Sequence, residues 1–173
     1  NWNCNIINIC YNKTKNCKEV DIYEKNEKLG KKLYITGKGR CNLTNNCDIS
    51  EFFENINRNP EFLYSSLYGF TNFDLVSFFE KRGLKTKTER GNRVFPSTDK
   101  SSDVIKVLEN ILVKKRVNVK LNSEVKELKK MGMGFLLSSN AGKIYYDKVV
   151  VATGGISYPK TGSTGFGYEI GEN

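Results

Sequence analysis

Apolar positions along the chain change period several times, and each change predicts an element. Residues 19–24 (Glu-Val-Asp-Ile-Tyr-Glu) alternate apolar and polar, with β-branched and aromatic side chains, which predicts a short strand ending on a carboxylate. A loop rich in Gly, Lys and Asn follows from Asn26 to Asn46. Over 50–82 the apolar residues recur every three to four positions (Phe52, Phe53, Ile56, then Phe73, Val76, Phe79). This spacing predicts two or three helices broken near Pro60 and Gly69, with Gly83 as a stop. Ser101 or Ser102 can cap a further helix whose Val104, Ile105, Leu108, Ile111 and Leu112 share one face. From Val117 the period falls to two, predicting strands at 117–121, 124–129, 134–139 and 143–147. The last run, Lys148-Val149-Val150-Val151-Ala152, is nearly unbroken apolar chain, as expected of a strand in the buried middle of a parallel sheet. The class is therefore α/β with an inserted meander.

Length and composition narrow the options. At 173 residues, with 38% apolar and 12% aromatic side chains, the chain is expected to build one packed domain. No apolar run approaches a membrane span and the start lacks a signal peptide, so the expected address is cytoplasmic. The chain has no histidine, which excludes Ser-His-Asp and Cys-His relays. Its five cysteines form no C-x-x-C pair, so no metal site is expected. Any chemistry then belongs to a bound cofactor. The net charge of +9 lies in short mixed clusters that suit solvated faces better than a nucleic-acid footprint, although a basic surface favours a phosphate-bearing ligand.

Four features carry candidate chemistry. Glu24, with Lys25 after it, ends the first predicted strand, where dinucleotide-binding folds place an acid on the ribose hydroxyls; a solvent-facing Glu at a strand end is the plainer alternative. In the run Gly37-Lys38-Gly39-Arg40-Cys41-Asn42-Leu43-Thr44-Asn45 the glycines allow close backbone approach. Lys38 and Arg40 can pair with phosphate oxygens, and Asn42, Thr44 and Asn45 add donors and acceptors. An ordinary basic loop would read the same way, and Cys41 reads as a packed thiol. Ala152-Thr153-Gly154-Gly155 closes a strand with small residues at what would be a ligand-binding sheet edge. Finally, Tyr158 to Tyr168 contains Thr161, Gly162 and Gly165, compatible with a phosphate or flavin cradle or with a surface turn.

Glu24 through Asn45, Arg93-Val94-Phe95-Pro96 with Asp99-Lys100, the Ala152–Gly155 strand end and the Tyr158–Tyr168 segment together resemble, in order, the aminoacetone-oxidase-like (BaiN-like) family of FAD/NAD(P)-dependent flavoproteins. The resemblance spans nearly the whole chain. It implies a Rossmann-like FAD-binding domain carrying an antiparallel meander, in which Glu24 meets the AMP ribose and main-chain groups near Val125 bracket adenine. The 37–45 loop would lie along the pyrophosphate and flavin, and Thr153, Gly154 and the 161–167 glycines would approach from the sheet edge. The implied activity is electron or hydride transfer through FAD to or from a small organic substrate, with NAD(P)H as electron donor left open and no catalytic residue assigned.

The pattern breaks at both ends. The family opens with a strand and a G-x-G-x-x-G turn that holds the pyrophosphate at a helix N-terminus. Residues 1–18 contain no glycine. Residues 4–16 would then form the first helix, with Ile6, Ile9 and Cys10 on one face. The family also continues into a substrate domain and a returning FAD-binding part. Residues 1–173 are thus expected to be a partial FAD-binding domain, weak in binding by itself. A basic nucleotide- or nucleic-acid-binding module without catalysis, or a non-functional product of a broken gene, are the alternatives.

Overall fold

Strands separated by only two residues must pair antiparallel, since a parallel pair needs a crossover of about a dozen residues or more. That constraint sets the start of the fold. In the computed structural model, which describes residues 8–14, 17–156 and 165–171, β1 (Asn8–Thr14) runs antiparallel to β2 (Cys17–Tyr23). Asn8 lies opposite Tyr23 and Thr14 opposite Cys17. The helix expected over 4–16 is therefore overturned where the residues are described. The Asn-containing segment is a poor helix former, and its Ile9 and Tyr11 alternate as a strand requires.

The chain continues through α1 (Lys31–Ile35), β3 (Thr44–Asn45), α2 (Ile49–Glu54), α3 (Tyr64–Gly69), α4 (Asn72–Glu80), β4 (Thr86–Glu89), β5 (Arg93–Pro96) and α5 (Ser101–Lys114). Then come β6 (Asn118–Lys120), β7 (Val125–Met131), β8 (Gly134–Ser139), β9 (Gly142–Tyr146), β10 (Lys148–Val150) and α6 (Phe166–Gly171). Two units result: the described parts of Asn1–Leu33 with Leu108–Asn173, and Tyr34–Val107.

In the first unit a sheet of order β10-β1-β2-β6 holds the parallel pair β2–β6, with Asp21 opposite Asn118 and Tyr23 opposite Lys120. A separate antiparallel meander, β7-β8-β9, carries a bulge between Val125 and Glu127. The α/β class with an inserted meander is as the sequence implied. The last strand is not where it was expected. β10 pairs antiparallel with β1 over three residues and lies at the sheet's rim, leaving Val150 54% and Val151 38% exposed. Because β1 occupies the place beside it, β10 gains no parallel neighbour, and its apolar run follows an edge instead of filling a core.

Tyr23, Val125, Leu137 and Tyr146 form the core of this unit, with Leu128, Val149 and Phe166 packed against it. A polar network is built into the same place. The Asp21 carboxylate, 8% exposed, accepts from Asn118 Nδ2 at 3.0 Å, from Lys120 Nζ at 2.8 Å, and from the Tyr146 hydroxyl. Tyr23 and Tyr146 share a hydroxyl–hydroxyl bond of 2.8 Å, and Lys120 Nζ also donates to Tyr23 Oη at 3.1 Å. Burial pushes the Asp21 carboxyl up, but the bonds from Lys120, Tyr146 and Asn118 outweigh it and hold it below its ordinary value. Burial, reinforced by the bond to Asp21, drives the Tyr146 phenol well above its usual value.

The second unit is built on the 50–82 helices, which break where the sequence predicted. A 3-10 turn starts at Pro60, α3 ends at Gly69, and Gly83 at φ 89° stops α4. Thr71 and Asp74 form a reciprocal capping box at the start of α4. Ser101 is already helical, and its hydroxyl donates to Tyr34 O at 3.2 Å instead of capping α5. A three-stranded sheet of order β3-β5-β4 completes the unit. Beside it Gly37 adopts φ +57°, and a Cβ there would stand 2.9 Å from Asn42 N and 3.1 Å from a Phe95 ring carbon. Only glycine satisfies both demands.

Three outcomes follow for stability. Tyr146→Phe leaves a buried carboxylate short of one donor and should cost about 1.5–3 kcal/mol in a denaturant melt. Asp21 binds its proton more weakly folded than unfolded, so its contribution is complete above the unfolded carboxylate value of about 3.9 and is lost as pH falls through the folded value. Asp21→Asn should therefore flatten the acid limb of stability below about pH 4; an unchanged limb would contradict this assignment. Gly37→Ala should cost about 1–2 kcal/mol from backbone conformation alone, with a further loss from the contact with Asn42, and a melt equal to wild type would refute it.

Candidate functional site

Glu24 leaves β2 with its main chain held on both sides. Its N–H donates to Lys120 O at 3.0 Å, and its carbonyl accepts from Ser123 N at 2.9 Å. The carboxylate is 4% exposed, and its Oε1 accepts from Asn26 N at 2.9 Å and Asn26 Nδ2 at 2.6 Å. Asn26 in turn accepts from Lys31 Nζ at 3.2 Å and, through its main-chain carbonyl, from Asn122 N at 3.0 Å. Lys25 is exposed. An acid at the tip of a strand is thus fixed in a tight turn, and it is not the solvent-facing Glu that the plainer alternative required. Val125 opens β7 with its side chain in the core at 8% exposure, which leaves its main chain as the part able to meet a ligand.

Beyond β10, Ala152–Gly155 are half-buried, and Gly154 adopts φ 76°. The Thr153 hydroxyl is buried without a hydrogen-bond partner among the described residues. The backbone of α6 crowds it: a Cβ on Gly167 would stand 3.0 Å from Thr153 Oγ1. Gly165 is buried at φ +83°, and a Cβ there would meet Ile156 Cγ2 at 2.9 Å. The strand tip and the turn before α6 therefore form one tightly packed corner. Thr161 and Gly162 lie outside the described residues.

In the second unit the 37–45 loop is built from left-handed residues. Gly37, Lys38, Gly39 and Cys41 have φ of 57°, 58°, 85° and 60°. Lys38 and Cys41 carry a side chain in a region that usually costs about 1–2 kcal/mol per residue, so neighbouring contacts must hold the loop in place. They do. Arg40 N donates to Gly37 O at 3.3 Å, Cys41 N to Thr36 O at 3.0 Å and Leu43 N to Val94 O at 2.8 Å. Cys41, 2% exposed, packs as a buried thiol.

Most polar side chains of this loop face the protein. Arg40 Nη1 donates to Glu89 Oε1 at 2.9 Å, Glu89 Oε2 at 3.1 Å and Asp99 Oδ1 at 3.2 Å, while its guanidinium carbon lies 4.1 Å from the Phe95 ring centre. Lys87 Nζ completes the ring of charges, 2.5 Å from Asp99 Oδ2 and 3.4 Å from Glu89 Oε1. The Arg40 bond outweighs desolvation and lowers the Glu89 carboxyl, and the Lys87 bond does the same for Asp99. Asn42, its amide turned to suit its neighbours, donates to Val94 O at 3.1 Å and Thr44 O at 2.9 Å. Asn45 Nδ2 donates to Gly91 O at 2.8 Å, and its Oδ1 accepts from Cys47 N at 2.9 Å. Thr44, 7% exposed, pairs with Val94 in the sheet. Lys38 alone among the loop's cations is exposed and forms no ion pair among the described residues. The sequence reading missed Glu89 and Lys87; their i, i+2 spacing puts both on one face of β4, which is the signal that marks them.

In the first unit, taken by itself, a fixed carboxylate at the end of β2 has the chemistry that suits ribose hydroxyls. In the second, taken by itself, a left-handed loop carries an exposed cation. What the described residues lack is a glycine-rich turn leading into a helix for the pyrophosphate. They also contain no cluster suited to a metal ion, and no helix among them is long and apolar enough to cross a membrane.

Comparison with known proteins shows the family. Residues 8–173 match the family described as HI0933-like protein Rossmann domain. The chain is 34% identical over 152 residues to the 3-dehydro-bile acid delta(4,6)-reductase of Clostridium scindens, covering 88% of this chain and 36% of that protein. It is 32% identical over 155 residues to the ribosomal RNA dihydrouridine synthase of Escherichia coli, covering 90% of this chain and 38% of that protein. The synthase of the same name from Haemophilus influenzae is 28% identical over 159 residues, which is 90% of this chain and 39% of that protein. The chain thus spans well under half the length of these relatives. With an α/β sheet ending in a buried acid, an inserted meander and a family match over nearly all its residues, the chain belongs to the HI0933-like Rossmann-domain family of FAD-binding flavoproteins.

Proposed function

We propose that this chain supplies the FAD-holding part of a flavin-dependent oxidoreductase acting on a small organic substrate. The observation that carries this reading is the Glu24 carboxylate, buried at the tip of β2 and fixed by Asn26 in a unit whose family binds FAD. Glu24 would accept from the AMP ribose hydroxyls, with Lys25 beside it. Main-chain groups at Val125 would flank adenine. The 37–45 loop would face the phosphates and flavin, and Ala152–Gly155 with Thr161, Gly162 and Gly165 would close on the cofactor from the sheet edge. When bound, the flavin supplies reversible electron or hydride transfer; the protein positions it and excludes water. NAD(P)H would serve as the electron donor. The names of the relatives, a delta(4,6)-reductase and dihydrouridine synthases, point to reduction of an unsaturated ring as the substrate class.

Without a glycine-rich turn among the described residues, the chain by itself should bind FAD only weakly. Titration of the purified chain with FAD, followed by flavin fluorescence, should give saturable binding weaker than micromolar. Glu24→Gln should weaken it roughly tenfold, about 1.4 kcal/mol, while a Glu109→Gln control at an exposed position of α5 leaves it unchanged. A strongly salt-dependent affinity for oligonucleotides with no preference for FAD would overturn the reading in favour of a nucleic-acid module. A stoichiometric micromolar complex would show that the pyrophosphate is held after all.

A further inference from the structure

Two cations stand in the 37–45 loop, and their surroundings differ in kind. Arg40 is engaged by the protein: its guanidinium meets both oxygens of Glu89 and one of Asp99, and its carbon lies over the Phe95 ring. Lys87 neutralises the same two carboxylates from the other side. Isolated surface ion pairs contribute little, but a closed ring of two acids and two bases, with one base stacked on an aromatic face, restricts geometry as well as charge. Asp99 itself holds φ +56°, and Arg40 sits between Gly39 at φ 85° and Cys41 at φ 60°. The ring therefore joins two left-handed segments to the β4–β5 hairpin. Lys38 has the opposite setting, exposed at φ 58° on the crest of the same loop, one residue from each loop glycine.

We propose that these cations divide the work: Arg40 is a positioning residue that fixes the loop through Glu89 and Asp99, and Lys38 is the cation that meets a ligand phosphate. The inference deepens the FAD-binding reading and rests on it for the role of Lys38. The role of Arg40 stands on the protein's own contacts. Residue type supports the split. A planar fork suits two carboxylates and a ring face at once, whereas a single ammonium on a long stem suits a mobile phosphate oxygen.

Two measurements on the purified chain test it. In thermal melts, Arg40→Gln, Asp99→Asn and the double variant form a cycle whose losses should be clearly less than additive, and Arg40→Lys should not restore the wild-type melt. Lys38→Gln should melt as wild type. Additive losses overturn the anchoring role. In FAD titrations across rising salt, wild-type affinity should fall steeply. Lys38→Gln should flatten that fall, while the charge-neutral double variant Arg40→Gln with Asp99→Asn should bind more weakly at every salt with the same steepness. A double variant that flattens the fall as Lys38→Gln does would show that Arg40 meets the phosphate and would overturn the division of roles. Absence of any saturable FAD binding by wild type would refute the cofactor reading together with the role of Lys38, and the melting cycle would still decide the role of Arg40.

Discussion

The Asp21 carboxylate is the contact on which the first unit depends. It lies on β2 and draws donors from two other strands: Asn118 and Lys120 on β6, and Tyr146 on β9. Removing a charged group from water is costly unless donors replace the water, and three donors do so here. The result is more than a satisfied charge. The same residues fix the register of the parallel pair and bring the meander against the sheet, since Tyr146 is also part of the apolar core with Tyr23. Glu24 lies one residue beyond Tyr23, and its N–H is bonded to the carbonyl of Lys120. The main chain of Glu24 is thereby tied to the strand that carries Lys120, a member of this charge network.

The second unit solves a different problem by a similar route. A chain that turns through Gly37, Lys38, Gly39 and Cys41 in left-handed conformations does not stay there on backbone preference alone. Main-chain bonds to Thr36 and Val94 set its path, and Arg40 ties it to acids far along the sequence. Loops that carry ligand-binding groups are useful only when a rigid frame positions them. Here most of the loop's polar side chains are committed to building that frame.

Much of this was legible in the sequence, and the failures have physical reasons. The 19–24 alternation located β2 and placed Glu24 at its end. Pro60, Gly69 and Gly83 marked the helix breaks because each removes a donor or frees the backbone locally. The period-two pattern after Val117 gave the meander. The helix expected over 4–16 follows from the family's strand, turn and helix order, with Ile6, Ile9 and Cys10 on one face; over the described residues the pairing with β2 decides for a strand. The run Lys148–Ala152 predicts a buried parallel strand because an apolar run looks the same at a rim and in a core; which applies depends on the neighbouring strand. The Arg40 ring was not visible locally, since its acids lie 49 and 59 positions away. Charged residues in a basic loop carry no mark of whether their partner is a ligand or another part of the chain.

The rims of the β10-β1-β2-β6 sheet have a consequence for how the chain behaves toward other chains. Both outer strands, β10 and β6, are three residues long, and β10 opens with the exposed Lys148. A foreign strand approaching either side finds a ladder too short to reward alignment, and on one side a charge that must be desolvated first. Among the described residues β10 covers β1 only over Ile9–Tyr11 and β6 covers β2 only over Asp21–Tyr23, so the shielding is confined to one end of the seven-residue strands. The exposed Val150 of β10 is thus confined to a stretch of backbone with little capacity to template cross-β growth, a protection that β10 and β6 do not extend to Asn12–Thr14 and Cys17–Val20.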